Sequence, residues 1–142
     1  MKLVVDVNVL VSGSLWPGNP SRLVDALLDG SATLCTSSLV MAEFEEVIQR
    51  DKFQKRLQLR GRSAPEIISS FRAASLIIES PAIPVPSTLR DPDDVHVLAC
   101  AMGASAIAIV TGDSDLLSMG TFEAIPILTV RQALEKLGIS AA

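Results

Sequence analysis

Apolar residues along this chain fall into short runs broken by turn-forming and charged positions. Leu3 to Val7 is rich in Val and carries one acid, Asp6, the pattern of a strand buried on both faces within a parallel sheet. Gly13, Pro17, Gly18, Asn19 and Pro20 predict a loop, followed by a helix from Ser21 to Leu28 that Gly30 stops. Ala32 to Thr36 reads as a second strand. After it Ser37 or Ser38 caps a helix running to about Arg50, with Val40, Phe44, Val47 and Ile48 as its inward stripe. Pro65 starts another helix to about Ser75, and Leu76-Ile77-Ile78 forms a third short strand. Pro81, Pro84 and Pro86 mark an ordered loop, too short for a domain linker. From Asp91 a helix begins with Pro92 at its first position and Val95, Leu98, Ala99 and Met102 on its buried face. Ala106 to Val110 and Ile125 to Leu128 are two more strands, and Val130 to Leu137 is a closing helix.

Strands alternating with helices predict a three-layer α/β domain, and 142 residues suit a single one over 1–142. With 49% hydrophobic residues the chain folds; with 4% aromatics and no Tyr, aliphatic side chains fill its core and little remains for stacking on nucleobases. The net charge of -4 argues against polyanion binding unless the acids gather around cations that reverse the local potential. Basic residues are concentrated at Arg50, Lys52, Lys55, Arg56, Arg60 and Arg62, a set suited either to guiding a phosphate backbone or to solvating a helical hairpin. Cys35 and Cys100 lack zinc-ligand spacing and read as buried reduced thiols, and a single histidine, His96, excludes a histidine-rich metal site. No cleavable leader pattern follows Met1, and no stretch reaches about 18 apolar residues, so the expectation is a cytoplasmic protein with no membrane span.

The chemistry lies in acids at predicted strand ends and helix starts: Asp6, Glu43, the run Asp91-Pro92-Asp93-Asp94, and Asp113 with Asp115. In open α/β sheets, sites form beyond the carboxyl ends of the strands, and these positions are compatible with one such rim. Four carboxylates crowded there would raise one another's pKa unless cations sat among them. Oxygen-only ligation favours Mg²⁺ or Mn²⁺, which can activate water and hold a scissile phosphate. Each acid also has a structural reading. Asp6 can accept backbone N–H bonds, Asn8 can shape a turn, and Glu43 can face solvent beside Glu45 and Glu46. Asp91 can cap a helix whose positive end Asp93 and Asp94 favour, and Asp115 can cap the turn at Leu116-Leu117. Arg90 is the best single candidate for contacting substrate, or else it pairs with Asp91 or Asp94. His96, two residues beyond Asp94 on another helix face, suits a surface or subunit contact.

Asp6-Val7-Asn8 with Ser12, Glu43, the segment from Arg90 through Asp94 to Ala101, and Thr111-Gly112-Asp113-Ser114-Asp115-Leu116-Leu117 closely resemble the PIN-domain nucleases, especially the group assigned as toxins of toxin–antitoxin systems. The resemblance runs from Lys2 to about Leu137 and implies a mainly parallel five-stranded sheet of order 3-2-1-4-5 between helices. By it, Asp6, Glu43, Asp94 and Asp113 match the acidic quartet and Asp115 an additional metal-site acid; Asn8, Ser12 and Thr111 match its supporting polar positions, with Asp91 beside them. It further implies an Mg²⁺- or Mn²⁺-dependent endoribonuclease that leaves a 5′ phosphate, is blocked by a protein antitoxin and forms a homodimer or higher homo-oligomer. Arg90, Lys52, Lys55 and Arg56 are the expected RNA contacts, and residues 139–142 are candidates for assembly. Alternatives are a non-catalytic RNA-binding or regulatory module, a phosphatase, or a nuclease acting on DNA. A phosphoreceiver reading is disfavoured, since that class needs a late strand-end Lys and after Lys55 the only lysine is Lys136, in the last helix.

Overall fold

The computed structural model describes residues 1–141; the side chain of Asp93 and residue Ala142 lie outside it, and with them the expectations for an Asp93 charge at a helix start and for Ala142 in assembly. Its six-stranded sheet has the order β3-β2-β1-β4-β6-β5. The strands are β1 (Lys2–Val5), β2 (Thr33–Thr36), β3 (Ser75–Ile77), β4 (Ala108–Val110), β5 (Thr121–Phe122) and β6 (Ile125–Leu128). All neighbours are parallel except β5, which turns back antiparallel on β6 through Thr121 opposite Pro126 and Phe122 opposite Ile125. The expected five strands therefore become six. Without β5 the order is the expected one, and a two-residue strand is too short to leave an alternating pattern in the sequence.

Side-chain alternation in β1 sends Leu3 and Val5 to one face and Val4 to the other, so the sheet separates two cores. Beneath one face pack α1 (Val7–Leu15), α2 (Asn19–Asp29), α3 (Ser38–Ile48), α4 (Asp51–Leu59), α5 (Ala64–Ala74) and α8 (Val130–Leu137), where Phe44 and Phe71 meet edge to face at 4.9 Å. Against the other lie α6 (Val95–Ala104) and α7 (Ser114–Met119), together with Cys35, Cys100 and Ile109. This is the expected three-layer α/β/α arrangement. Among the described residues no helix is long and apolar enough to cross a membrane.

Helix α1 is the largest departure from the expected elements: the first strand ends at Val5, and Val7 opens a helix where a strand end and loop were predicted. Seven of its nine residues are buried, only Asn8 and Ser12 being accessible, so it carries no amphipathic stripe and its Val-rich start reads locally as strand. Gly13 lets α2 cross it closely, since a Cβ there would stand 2.5 Å from both the Pro20 carbonyl oxygen and Val24 Cγ2. Smaller shifts follow local chemistry. The third strand begins at Ser75, α2 starts two residues early, at Asn19, and α3 stops at Ile48 before α4. Pro92–Asp94 forms a 3-10 turn, so the α-helix proper starts at Val95, and Met102, expected on its buried side, is exposed.

Candidate acidic site

The parallel strand order reverses direction between β1 and β4, where the connections depart to opposite sides and leave a crevice beyond the strand ends. Asp6 follows β1 and Asp113 follows β4 at this point, and the Asp6 N–H extends the pairing by donating to the Val110 carbonyl at 2.9 Å. Between the two acids sits Thr111, fully buried. Its Oγ1 donates to Asp6 Oδ2 at 2.8 Å and accepts the Asp113 N–H at 3.0 Å, so one hydroxyl sets the position of both residues. Asp113 Oδ1 accepts the Asp115 N–H at 2.7 Å and thereby caps α7, the role the sequence offered to Asp115.

The other acids arrive from separate elements. The Ser37 hydroxyl, rather than Ser38, caps α3 by accepting the Val40 N–H at 3.2 Å, and Glu43 lies farther along that helix, exposed. Asp94 is the N-cap residue of α6 without a side-chain capping bond, and the Asp91 carbonyl accepts its N–H at 3.1 Å. Burial, followed by the charges of Asp113, Asp6, Asp91 and Glu43, pushes the Asp94 carboxyl up to about 6. Burial also raises Asp6, helped by Asp113 and opposed by the Thr111 hydrogen bond and by the N–H groups of Asn8 and Val7. The four acids of the expected quartet and Asp91 therefore share one electrostatic neighbourhood.

A cleft of about 390 Å³ opens beside them, lined by Asp6, Asn8, Ser12, Pro20, Gly112 and Asp113 among others. Asn8 and Ser12 are four residues apart on α1 and so share a helix face, the one turned to this cleft. Arg90 Nε stands 3.3 Å from Asp115 Oδ2, so the exposed arginine has Asp115 as an ion-pair partner. His96 is exposed and lines a different cleft, of about 300 Å³, with Ser37, Leu39 and Glu79.

The basic segment is partly turned inward. Arg56 Nε donates to the Leu15 carbonyl at 2.9 Å and Arg60 Nη2 to the Ser21 hydroxyl at 3.3 Å, which ties α4 and the turn after it to α1 and α2. Arg50 pairs with Glu46, while Lys52 and Lys55 are exposed. Both cysteines are buried; burial and then Cys35 push the Cys100 thiol up to about 12, which makes it unreactive. Ile139 packs against the core and the Ser140 carbonyl accepts a bond from Arg22 at 2.7 Å, so the described end of the chain is docked on its own domain.

The donor chemistry of the acidic centre, all carboxylate oxygens raising one another's pKa, fits a hard divalent cation. Among the described residues, however, no three His, Cys, Asp or Glu side chains are gathered closely enough to hold a metal ion. Ligation by three of them would require their side chains to move together.

Comparison with known proteins gives two findings. A family model described as "PIN domain" matches residues 2–115, from β1 to the start of α7. The crystal structure of PAE2754 from Pyrobaculum aerophilum superposes with a TM-score of 0.57 at 18% identity, covering 97% of this chain and 90% of that one, a likeness of fold. No curated protein matches.

Proposed function

Because the chain belongs to the PIN-domain family, a superfamily of hydrolases and nucleases, we propose that it is a metal-dependent endoribonuclease and the toxin component of a toxin–antitoxin pair. The observation that carries this reading is the electrostatic convergence at the β1/β4 crevice: Asp94 is pushed up to about 6 by burial and by four other acids. Asp6, Glu43, Asp94 and Asp113 would hold Mg²⁺ or Mn²⁺, with Asp115 as an outer acid. Bound there, the ion would supply charge neutralisation for a scissile phosphate and activation of water.

The chain's own residues do the positioning. Thr111 donates its hydroxyl proton to one oxygen of the Asp6 carboxylate and accepts the Asp113 N–H, which orients that carboxylate together with the backbone N–H groups of Asn8 and Val7. Asn8 and Ser12 offer polar groups along the cleft wall, where they can brace an incoming strand. Arg90, paired with Asp115, can exchange that partner for a phosphate, and Lys52, Lys55 and Arg56 on α4 are further candidate contacts for the backbone. A cytoplasmic, homo-oligomeric protein inhibited by an antitoxin completes the proposal, with residues 1–142 as one domain.

A second reading, a non-catalytic RNA-binding module, is favoured by the absence of three gathered metal-ligating side chains among the described residues. The test is cleavage of a mixed-sequence, end-labelled RNA with Mg²⁺, Mn²⁺ or EDTA by the parent and by a folded Asp6→Asn/Asp94→Asn variant, with single-stranded DNA in parallel. Metal-dependent cuts in RNA that vanish in the variant support the nuclease; an uncut RNA that still binds supports the module, and preferential cutting of DNA reassigns the substrate.

A further inference from the structure

Helix α1 begins at the acidic centre and ends in the chain's single tryptophan. Asp6 is its N-cap and Trp16 its C-cap, and with nine residues at about 1.5 Å each its ends lie roughly 14 Å apart. Within α1 only Asn8 and Ser12 reach solvent, and Trp16 stands four residues beyond Ser12, so the accessible residues form a track leading away from the acids. Trp16 is 46% exposed, unusual for so large an apolar group.

Its surroundings are ordered and cationic. Phe53 meets the indole edge to face at 6.5 Å and 88°, which fixes the ring plane. Arg56, pinned to the Leu15 carbonyl, places its guanidinium 5.9 Å from the Trp16 ring centre, and Lys52 Nζ lies 5.0 Å from the centre of Phe53. Lys52, Lys55 and Arg56 recur at three- and four-residue spacing and so share one face of α4. An apolar protein partner covering Trp16 would have to desolvate these cations, whereas a single-stranded nucleic acid presents a π-face to the ring and phosphates to the charges.

We propose that Trp16, oriented by Phe53 and with the Arg56 guanidinium over one face, offers its other face as a stacking platform for a base of single-stranded RNA whose backbone runs along Asn8 and Ser12 to the acidic cleft. This rests on the ribonuclease reading and adds to it a substrate subsite. A chain poor in aromatics thus puts its one indole where a base can use it.

The sole Trp and the absence of Tyr make intrinsic fluorescence a report on this site alone. The experiment titrates the 142-residue chain, in EDTA to prevent turnover, with a fluorescein-labelled single-stranded oligoadenylate read by anisotropy and the unlabelled oligomer read by Trp fluorescence. The proposal expects saturable quenching at the affinity seen by anisotropy, a loss of about tenfold or more in Trp16→Ala, and most of the affinity kept in Trp16→Phe. Binding without quenching, together with an unchanged affinity in Trp16→Ala, would overturn it even if the protein cuts RNA, leaving the nuclease reading intact. Absence of RNA binding overturns it as well. Quenching and its loss in the variant, in a protein that cuts nothing with Mg²⁺ or Mn²⁺, would keep the platform and sink the catalytic reading. If Trp16→Ala instead changes the sedimentation of the protein with no effect on RNA, the patch is a protein interface and the proposal fails. Should Trp16→Ala not fold, quenching in the parent decides alone.

Discussion

Replacing Asp94 with Asn tests whether the acids meet as described. The carboxyl rises from an ordinary 3.8 to about 6, so its proton is held more tightly in the folded state than in the unfolded chain. Asp94 therefore contributes no penalty below the unfolded value; the protein loses stability as pH climbs from there through about 6, and the loss is constant above. At 1.36 kcal/mol per unit the ceiling is about 3 kcal/mol. Solvent reaches the group, and screening reduces this to roughly 1.5 kcal/mol. A carboxylate at the start of α6 also gains roughly 0.5 kcal/mol from the helix dipole, which Asn forfeits. Asp94 makes no side-chain capping bond, so no cap is lost. The expected net effect is stabilisation by about 1 kcal/mol at about pH 7.5 in EDTA and none at about pH 3.5, read as a shift of the urea midpoint with unchanged slope. Millimolar Mg²⁺ or Mn²⁺ should stabilise the parent more than the variant and close the gap, because an ion binding the folded state shifts the equilibrium by mass action. A variant no more stable than the parent at neutral pH, or equally stabilised at both, would refute the claim that burial and the neighbouring acids penalise the Asp94 carboxylate.

Three further perturbations follow from the geometry. Thr111→Val removes the donor to Asp6 and the acceptor of the Asp113 N–H and should cost about 2–3 kcal/mol in urea unfolding, with Thr111→Ser keeping most of it. The same change should raise the Asp6 pKa further, so that its cost grows with pH through that titration; a carboxyl-carbon NMR titration showing no upward move would refute this. Gly13→Ala gains helix propensity of about 1 kcal/mol but drives a Cβ to 2.5 Å from the Pro20 carbonyl, and should destabilise by about 2 kcal/mol net; a neutral result would mean α2 can retreat. Ser37→Ala strips the cap of α3 and should cost about 1 kcal/mol, with hydrogen exchange of the Val40 amide accelerated more than that of Phe44.

Much of the architecture was legible because burial and turn chemistry are local. Short apolar runs bounded by polar or turn-forming residues marked β1, β2, β4 and β6, and Val130–Leu137 matched α8 at both ends. The sequence also put Asp6 and Asp113 at strand ends, and the order of the parallel strands was implied by the motif resemblance. Local pattern failed at α1, where near-complete burial erases the helical period, and at β5, where two residues carry no period at all.

What no local pattern holds is proximity between distant segments. Only the crossing of the chain between β1 and β4 brings the Thr111 hydroxyl to Asp6, 105 positions away, and gathers the charges of Glu43 and Asp113 around Asp94. The same crossings turn Arg56 toward Leu15 and pair Arg90 with Asp115, choices between partners that sequence spacing leaves open. The sequence by itself determined most of the apolar runs that build the core and which acids stand at strand ends, since both follow from side-chain chemistry and short-range geometry. The tertiary structure decided which charges share a dielectric environment and which aromatic ring stays in solvent, since energies of that kind depend on distances through space.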